Sequence, residues 1–225
     1  DFNGHLKREY DLMCEIRPPS SDPAVDGSIL KLFTHPIESF LVKTSKGLFQ
    51  VNVFEDASKE RVRLDKILEY YPQGIDFRDV AWMFKRFLMI LGYIHNKGII
   101  HGSIIPEHLY VHPIEHGAKL VDWCWATKNQ PLEAITPHRE DFYPPEVFKK
   151  LSLTASSDIY MAAKCAFYLL NKDQAPPKVI GFLKSCMIGN PARRPQNAWS
   201  IHDEFKNLMF SLVGKSEYRE LKIPT

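Results

Sequence analysis

Three histidines, His108, His112 and His116, recur every four residues, a spacing that on a helix would bring the imidazoles onto one face and suit a metal ion. Upstream, Ser103 stands two residues from His101, so a hydroxyl and an imidazole of the types used in nucleophilic catalysis lie close together. A phosphate cradle has no such support. Gly27, Gly47 and Gly74 are isolated and no G-x-G-x-x-G occurs. The four cysteines, Cys14, Cys124, Cys165 and Cys186, are far apart, and most sit in apolar surroundings. That usage implies buried thiols in a reducing, cytoplasmic setting and argues against a disulfide framework.

The segments that must position these groups follow from periodicity. Leu6, Tyr10, Met13 and Ile16 fall at helical spacing, predicting a helix over 5–16 that the run from Arg17 to Gly27, with its three prolines, ends. From Ser28 to Glu55 the runs ILKLF, SFLVK and LFQVNVF predict a small antiparallel sheet, with Lys46-Gly47 as a turn. Helical periodicity returns over 62–71 and 77–97, the latter with Val80, Phe84, Phe87, Leu88, Leu91 and Ile94 along one face. Two short strands are expected near 109–111 and 119–121, joined by a turn containing Pro113 and Gly117. Helices are then expected over 158–170, 179–188 and 199–212. The order is a small β-rich part, ending near residue 57, before a mostly helical one.

Composition narrows the function classes. Twenty-nine Lys and Arg against 27 Asp and Glu over 225 residues give a net charge of +2, with basic residues scattered. No electrostatic footprint for nucleic acid results. The longest apolar stretch, 84–94, is broken by Lys85, Arg86 and Gly92, well short of the roughly 20 apolar residues a membrane span needs. No membrane partner is therefore expected. A chain that begins at Asp1 without methionine reads as a fragment of a longer protein.

The segment 91–126, LGYIHNKGIIHGSIIPEHLYVHPIEHGAKLVDWCWA, resembles the catalytic-loop region of eukaryotic-type protein kinases, with its H-R-D motif, two short strands and D-F-G. YPPEVF at 143–148 resembles the A-P-E box, 157–170 the buried helix after it, and RRP at 193–195 the segment whose arginine pairs with the box glutamate. Glu9, ahead of Leu12-Met13, is similar to the glutamate on the helix flanking the nucleotide site. The resemblance covers 6–212. It implies an α+β, protein kinase-like two-lobed fold: a reduced β-rich lobe over 1–57 and a mainly helical lobe over 58–225. It also implies structural roles for His101, Trp123, Glu146, Asp158 and Arg194, including a Glu146–Arg194 ion pair and an Asp158 carboxylate that holds the catalytic-loop backbone.

The catalytic positions depart from the family pattern. Ser103 stands at the catalytic Asp, Ile105 at the following lysine and His108 at the metal-binding Asn. Serine cannot accept a proton as a carboxylate does, and isoleucine cannot neutralise phosphate charge. Gly102 replaces the motif arginine that usually anchors an activation-segment phosphate. Asp122 keeps its family position in an altered triplet, Asp122-Trp123-Cys124. Only four residues precede the helix of Glu9, and Lys31, Lys43 and Lys46 fall after it, so none matches the phosphate-binding lysine of the family and the Glu9 carboxylate is expected to be solvated. Tyr110, at the position of a leucine beneath adenine, is expected to crowd the nucleotide pocket. The resemblance also spreads His108, His112 and His116 over a strand start and a hairpin and gives Ser103 no oxyanion hole. A site of His108, Asp122 and Cys124 would favour zinc-like ions over magnesium. The expectation is nonetheless no metal, no cofactor and a vestigial pocket at Glu9, Tyr110 and Asp122.

The function expected is that of a pseudokinase, a catalytically inactive regulatory module that binds an unknown protein partner or another domain of its own parent. Two alternatives stay open: an atypical phosphotransferase using Asp122 and His108 with an upstream segment, and an ATP-sensing domain without transfer.

Overall fold

The computed structural model describes residues 2–17, 27–215 and 217–223. Helix α1, Phe2–Ile16, buries Met13 and Ile16, and the proline-rich run expected to end it lies, from 18 to 26, outside the described residues. A four-residue helix α2, Gly27–Leu30, and a turn through Phe33 replace the strand expected from ILKLF. Its apolar residues are satisfied by burial of Leu30, Leu32 and Phe33 in the core, so no strand partner is required.

Strands β1, Pro36–Thr44, and β2, Gly47–Phe54, form an antiparallel hairpin. The register sets Ser39 opposite Asn52 and Leu41 opposite Gln50 on one face, and Phe40 opposite Val51 and Val42 opposite Phe49 on the other. The polar face meets α1, where Asn52 Nδ2 donates to Leu6 O at 2.6 Å. Asn3 acts like a piece of a third strand at the free edge of β2, donating to Leu48 O and accepting from Gln50 N, both at 2.9 Å. The face carrying Phe40, Val42 and Phe49 is exposed.

Strand β3, Val62–Arg63, joins β4, Leu109–Val111, and β5, Ala118–Leu120, in a second antiparallel sheet of order β3-β4-β5. The helical reading of 62–71 is thus corrected at its start, because Val62 and Arg63 pair with Val111 and Tyr110 before α3, Leu64–Tyr70, begins. Two residues are too few for a period to register. Helix α4, Phe77–His95, is capped by Asp76, which accepts from Arg78 N, and buries its apolar stripe from Val80 to Ile94. Three further segments complete the order: the single turn α5, Pro145–Phe148, helix α6, Ala155–Leu169, which starts on a Thr154/Ser157 capping box, and α7, Pro177–Cys186. Last comes α8, Ala198–Val213, capped by Asn197 and closed by Gly214. One apolar core runs from Met13 and Phe33 through Phe84, Leu88 and Ile94 to Phe205. The class is α+β, with about 46% helix and small sheets. No described helix is long and apolar enough to cross a membrane.

Candidate functional site

The loop between α4 and β4 is fixed from below by α6. Asp158, fully buried, accepts from His101 N and Gly102 N at 2.9 Å each and lies 2.9 Å from His95 Nε2. Gly102 has φ +76, and a Cβ there would come within 3.0 Å of Leu132 and Leu153. Glycine is therefore favoured by the left-handed backbone, and a side chain there would press on two leucine methyl groups. A longer side chain at this position would require the two leucine methyl groups to move aside.

His101 is fully buried, and its ring bridges the loop to the segment after β5. Nε2 donates to Val121 O at 3.1 Å and Nδ1 accepts from Ser103 N at 3.2 Å, a pattern that requires the neutral imidazole. Burial agrees, pushing its pKa down to about 4. The partner of His101 is thus the Ser103 amide. The Ser103 hydroxyl lies 2.9 Å from Tyr143 Oη, which in turn accepts from Thr136 N at 3.1 Å. Ile105 is wholly buried.

His108 occupies the centre of a polar chain. Its Nδ1 donates to Ser103 O at 2.8 Å and its Nε2 sits 2.9 Å from Asp122 Oδ2, so both ring nitrogens face acceptors and the ring is an imidazolium. Cys124 Sγ donates to the other Asp122 oxygen at 2.8 Å. Burial alone would lower the His108 pKa, but the bond to Asp122 and its charge outweigh that and raise it. Asp122 responds in kind, with burial opposed by His108 and the carboxyl held down to about 2. Burial and the neighbouring Asp122 raise the Cys124 thiol. All three groups meet, therefore, with the proton inventory of a salt bridge and a neutral thiol. Asp122 holds φ 63, a left-handed value uncommon outside glycine.

The sign of the pH effect follows. The His108 contribution is complete below its unfolded pKa of about 6.5 and fades as pH rises through the raised folded value. The Asp122 contribution is complete above about 4 and is lost as pH falls through about 2. We expect the urea midpoint of the wild-type protein, relative to His108→Gln, to be highest near pH 5–6 and to converge on the variant as pH rises past 7. A difference between the two proteins that is flat from pH 5 to pH 9 would remove the imidazolium assignment.

Helix α1 closes over this chain. Glu9, expected to be solvated, is half-buried and accepts from Trp123 N at 3.0 Å and Asn52 Nδ2 at 3.3 Å, because the 122–124 segment packs directly against α1. Burial pushes its carboxyl up, and those two bonds pull part of the way back. Arg8 Nη2 adds a bond to Cys124 O at 3.1 Å. Trp123 is buried, with its ring 5.8 Å from Phe33 and edge-on to His101 at 4.6 Å. Beside it lies a cavity of about 170 Å³ whose walls include Glu9, Met13, Thr34, Phe54, Glu55, Asp122 and Trp123. Tyr110 is not part of that wall; it sits in mid-β4 between Arg63 and Lys119.

Farther off, Arg194 and Glu146 form a buried two-point pair, Nη1 to Oε1 at 2.7 Å and Nη2 to Oε2 at 2.6 Å. The spaced histidines separate. His112 Nδ1 accepts from Glu115 N, and His116 stacks on Trp82 at 4.2 Å. Among the described residues no three His, Cys, Asp or Glu side chains are disposed to hold a metal ion. Sequence reasoning missed Tyr143, 40 residues from Ser103, and the buried Lys119, whose Nζ is 2.7 Å from Glu55 Oε2. A lysine inside an apolar strand was the available signal for the second.

No protein-family model matches the chain. An 88-residue stretch, 39% of this chain, is 28% identical to serine/threonine-protein kinase KSP1 of Saccharomyces cerevisiae, and covers 9% of that protein. A stretch of 60 residues, 23% of this chain, is 30% identical to casein kinase II subunit alpha' of the same organism, covering 18% of it. The chain thus spans less than a fifth of either relative. These short matches give a local, weak similarity to yeast protein kinases.

Proposed function

We propose that the chain is a kinase-like domain without phosphoryl-transfer activity, built as a reduced lobe over 1–57 and a helical lobe over 58–225. On this reading it acts in a reducing, cytoplasmic compartment by binding a protein partner or another domain of its parent. One observation carries the reading. At the position similar to the catalytic Asp, the Ser103 hydroxyl is wholly buried and turned to Tyr143, so it offers no carboxylate to an incoming alcohol. Two neighbours support it: Asp122 is engaged by His108 and Cys124, and Glu9 by Trp123 and Asn52.

The test is a magnesium-dependent phosphoryl-transfer assay with general protein substrates, run beside thermal unfolding with and without ATP and magnesium. The wild-type protein should give no transfer, and Ser103→Asp should not restore it, since a carboxylate alone supplies neither a phosphate-binding lysine nor a glycine-rich cover. A ligand at about 100 times its Kd stabilises by roughly 2.7 kcal/mol, so millimolar nucleotide should leave the transition unmoved. Transfer abolished by Asp122→Asn would establish the atypical phosphotransferase instead. A nucleotide-dependent rise in Tm without transfer would establish an ATP sensor.

A further inference from the structure

Strand β1 is the open edge of its hairpin. On β2, Leu48 O and Gln50 N both reach Asn3, so these residues turn their backbone groups away from β1. Backbone direction alternates along an antiparallel pair, and Ser39, Leu41 and Lys43, opposite Asn52, Gln50 and Leu48, therefore turn their N–H and C=O groups away from β2. No other bond among the described residues reaches them. A row of this kind is a template for a further strand. The register shift between Pro36 and Glu38 leaves the edge regular from Glu38 to Thr44.

The side chains of this edge are uncovered as well. Phe40, Leu41 and Val42, at its centre, are each more than a third exposed. Leu41 is 55% exposed although it shares a face with Ser39 and lies on the side that meets α1, so the helix stops short of the edge. Contiguous exposed apolar side chains mark interaction surfaces.

We propose that this edge is where two copies of the chain associate, β1 running antiparallel to the partner's β1 about a two-fold axis at Leu41, in one continuous four-stranded sheet. The residue pattern selects both the occupant and the register. With the axis at Leu41, Phe40 faces the partner's Val42 and Leu41 faces the partner's Leu41, while Ser39 faces the partner's Lys43 and Glu38 the partner's Thr44. Aromatic against β-branched is a favourable cross-strand pair, and no like charges meet. Glu38 also comes one diagonal step from the partner's Lys46, a separation of about 7–8 Å that long side chains can span. Two-fold symmetry makes that charge match twice. An axis at Phe40 would instead set Glu38 against the partner's Val42 and Lys43 against the partner's Ile37. An axis at Val42 would set Lys43 against the partner's Leu41. A single strand-to-strand contact lies at the small end of specific interfaces, so the dimer is a reversible one. The inference does not rest on catalytic inactivity, which the nucleotide assays above decide separately.

Sedimentation equilibrium of the full 225-residue chain between about 5 and 500 µM tests it, and should show a reversible passage from monomer to dimer. Leu41→Pro deletes an N–H that turns outward and keeps the ladder to β2, a position at which an edge strand tolerates proline. That variant should keep the wild-type far-UV spectrum and stay monomeric throughout. Glu38→Lys should weaken association about fivefold or more. Glu38→Lys combined with Lys46→Glu should return it to the wild-type value, a recovery that a loss of folding alone would not show. The charge series decides the matter by itself should Leu41→Pro fail to fold. A wild-type chain that is still monomeric at about 500 µM, assembly that grows beyond the dimer, a folded Leu41→Pro that dimerises undiminished, or a double charge reversal without recovery would each overturn the proposal.

Discussion

Arg194→Ala should lower the melting temperature by roughly 6–20 °C, while Arg193→Ala, one residue away, should change it by no more than about 1 °C. The contrast is geometric. Arg193 is exposed, whereas Arg194 is buried and gives five bonds: two to Glu146, one to Ile188 O at 2.5 Å, one to Ser156 O at 3.2 Å and one to Gly189 O at 3.3 Å. Its guanidinium also lies 4.9 Å from the Tyr160 ring. Removing it strands the Glu146 carboxylate, which keeps only Ser157 Oγ as a side-chain donor at 2.8 Å. Breaking one side of such a pair costs about 3–5 kcal/mol. Arg194→Met combined with Glu146→Leu should recover much of the loss, because replacing both charges leaves neither unpaired. Equal, small effects at 193 and 194 would show that the pair does not join the α5 and α8 ends of the fold.

Asp158→Ala is expected to be comparably severe, about 3–6 kcal/mol in a denaturant titration. The carboxylate ends the backbone donors of His101 and Gly102 and the ring of His95 in a site with no solvent. Each buried donor left without a partner costs roughly 1–3 kcal/mol. Asp158→Asn keeps one carbonyl acceptor, so about half the loss should return. A cost under about 1 kcal/mol for the alanine variant would mean that the 101–103 loop holds its shape by packing alone.

The elements with long, regular apolar spacing were readable from sequence, and the reason is physical. In α4 the stripe from Val80 to Ile94 spans about four turns, and burial follows it residue by residue. Short or locally ambiguous segments were not. The run from Ile29 to Phe33 has strand-like composition, yet its large side chains reach the core from a turn. Within the candidate site, the positions of His101, Ser103, His108 and Asp122 were visible as a pattern, but their partners were not. Tyr143 meets Ser103 across 40 residues, and Lys119 meets Glu55 across 64. Such pairings depend on how the chain returns, which local spacing does not encode. Gly102 shows the other limit: its left-handed φ of +76 and the close approach of Leu132 and Leu153 are visible only in the folded loop.

The way Asn3, Leu6 and Glu9 of α1 bond to β2 has a consequence for amide hydrogen exchange. Because the Asn3 contacts stand where another strand would pair, and Leu6 and Glu9 hold the Asn52 side chain, the outward amide of Gln50 is protected only while α1 is docked. Helix and hairpin should therefore open together as one cooperative unit, at a free energy below that of the α4–α6–α8 core around Phe84, Leu88 and Phe205. The amide of Gln50 and those of the last turns of α1 would then exchange with a common opening free energy, and the Trp123 amide, held by Glu9, would share it. Loosening α1 in this way would reach the 122–124 segment without any change in the loop that Asp158 holds.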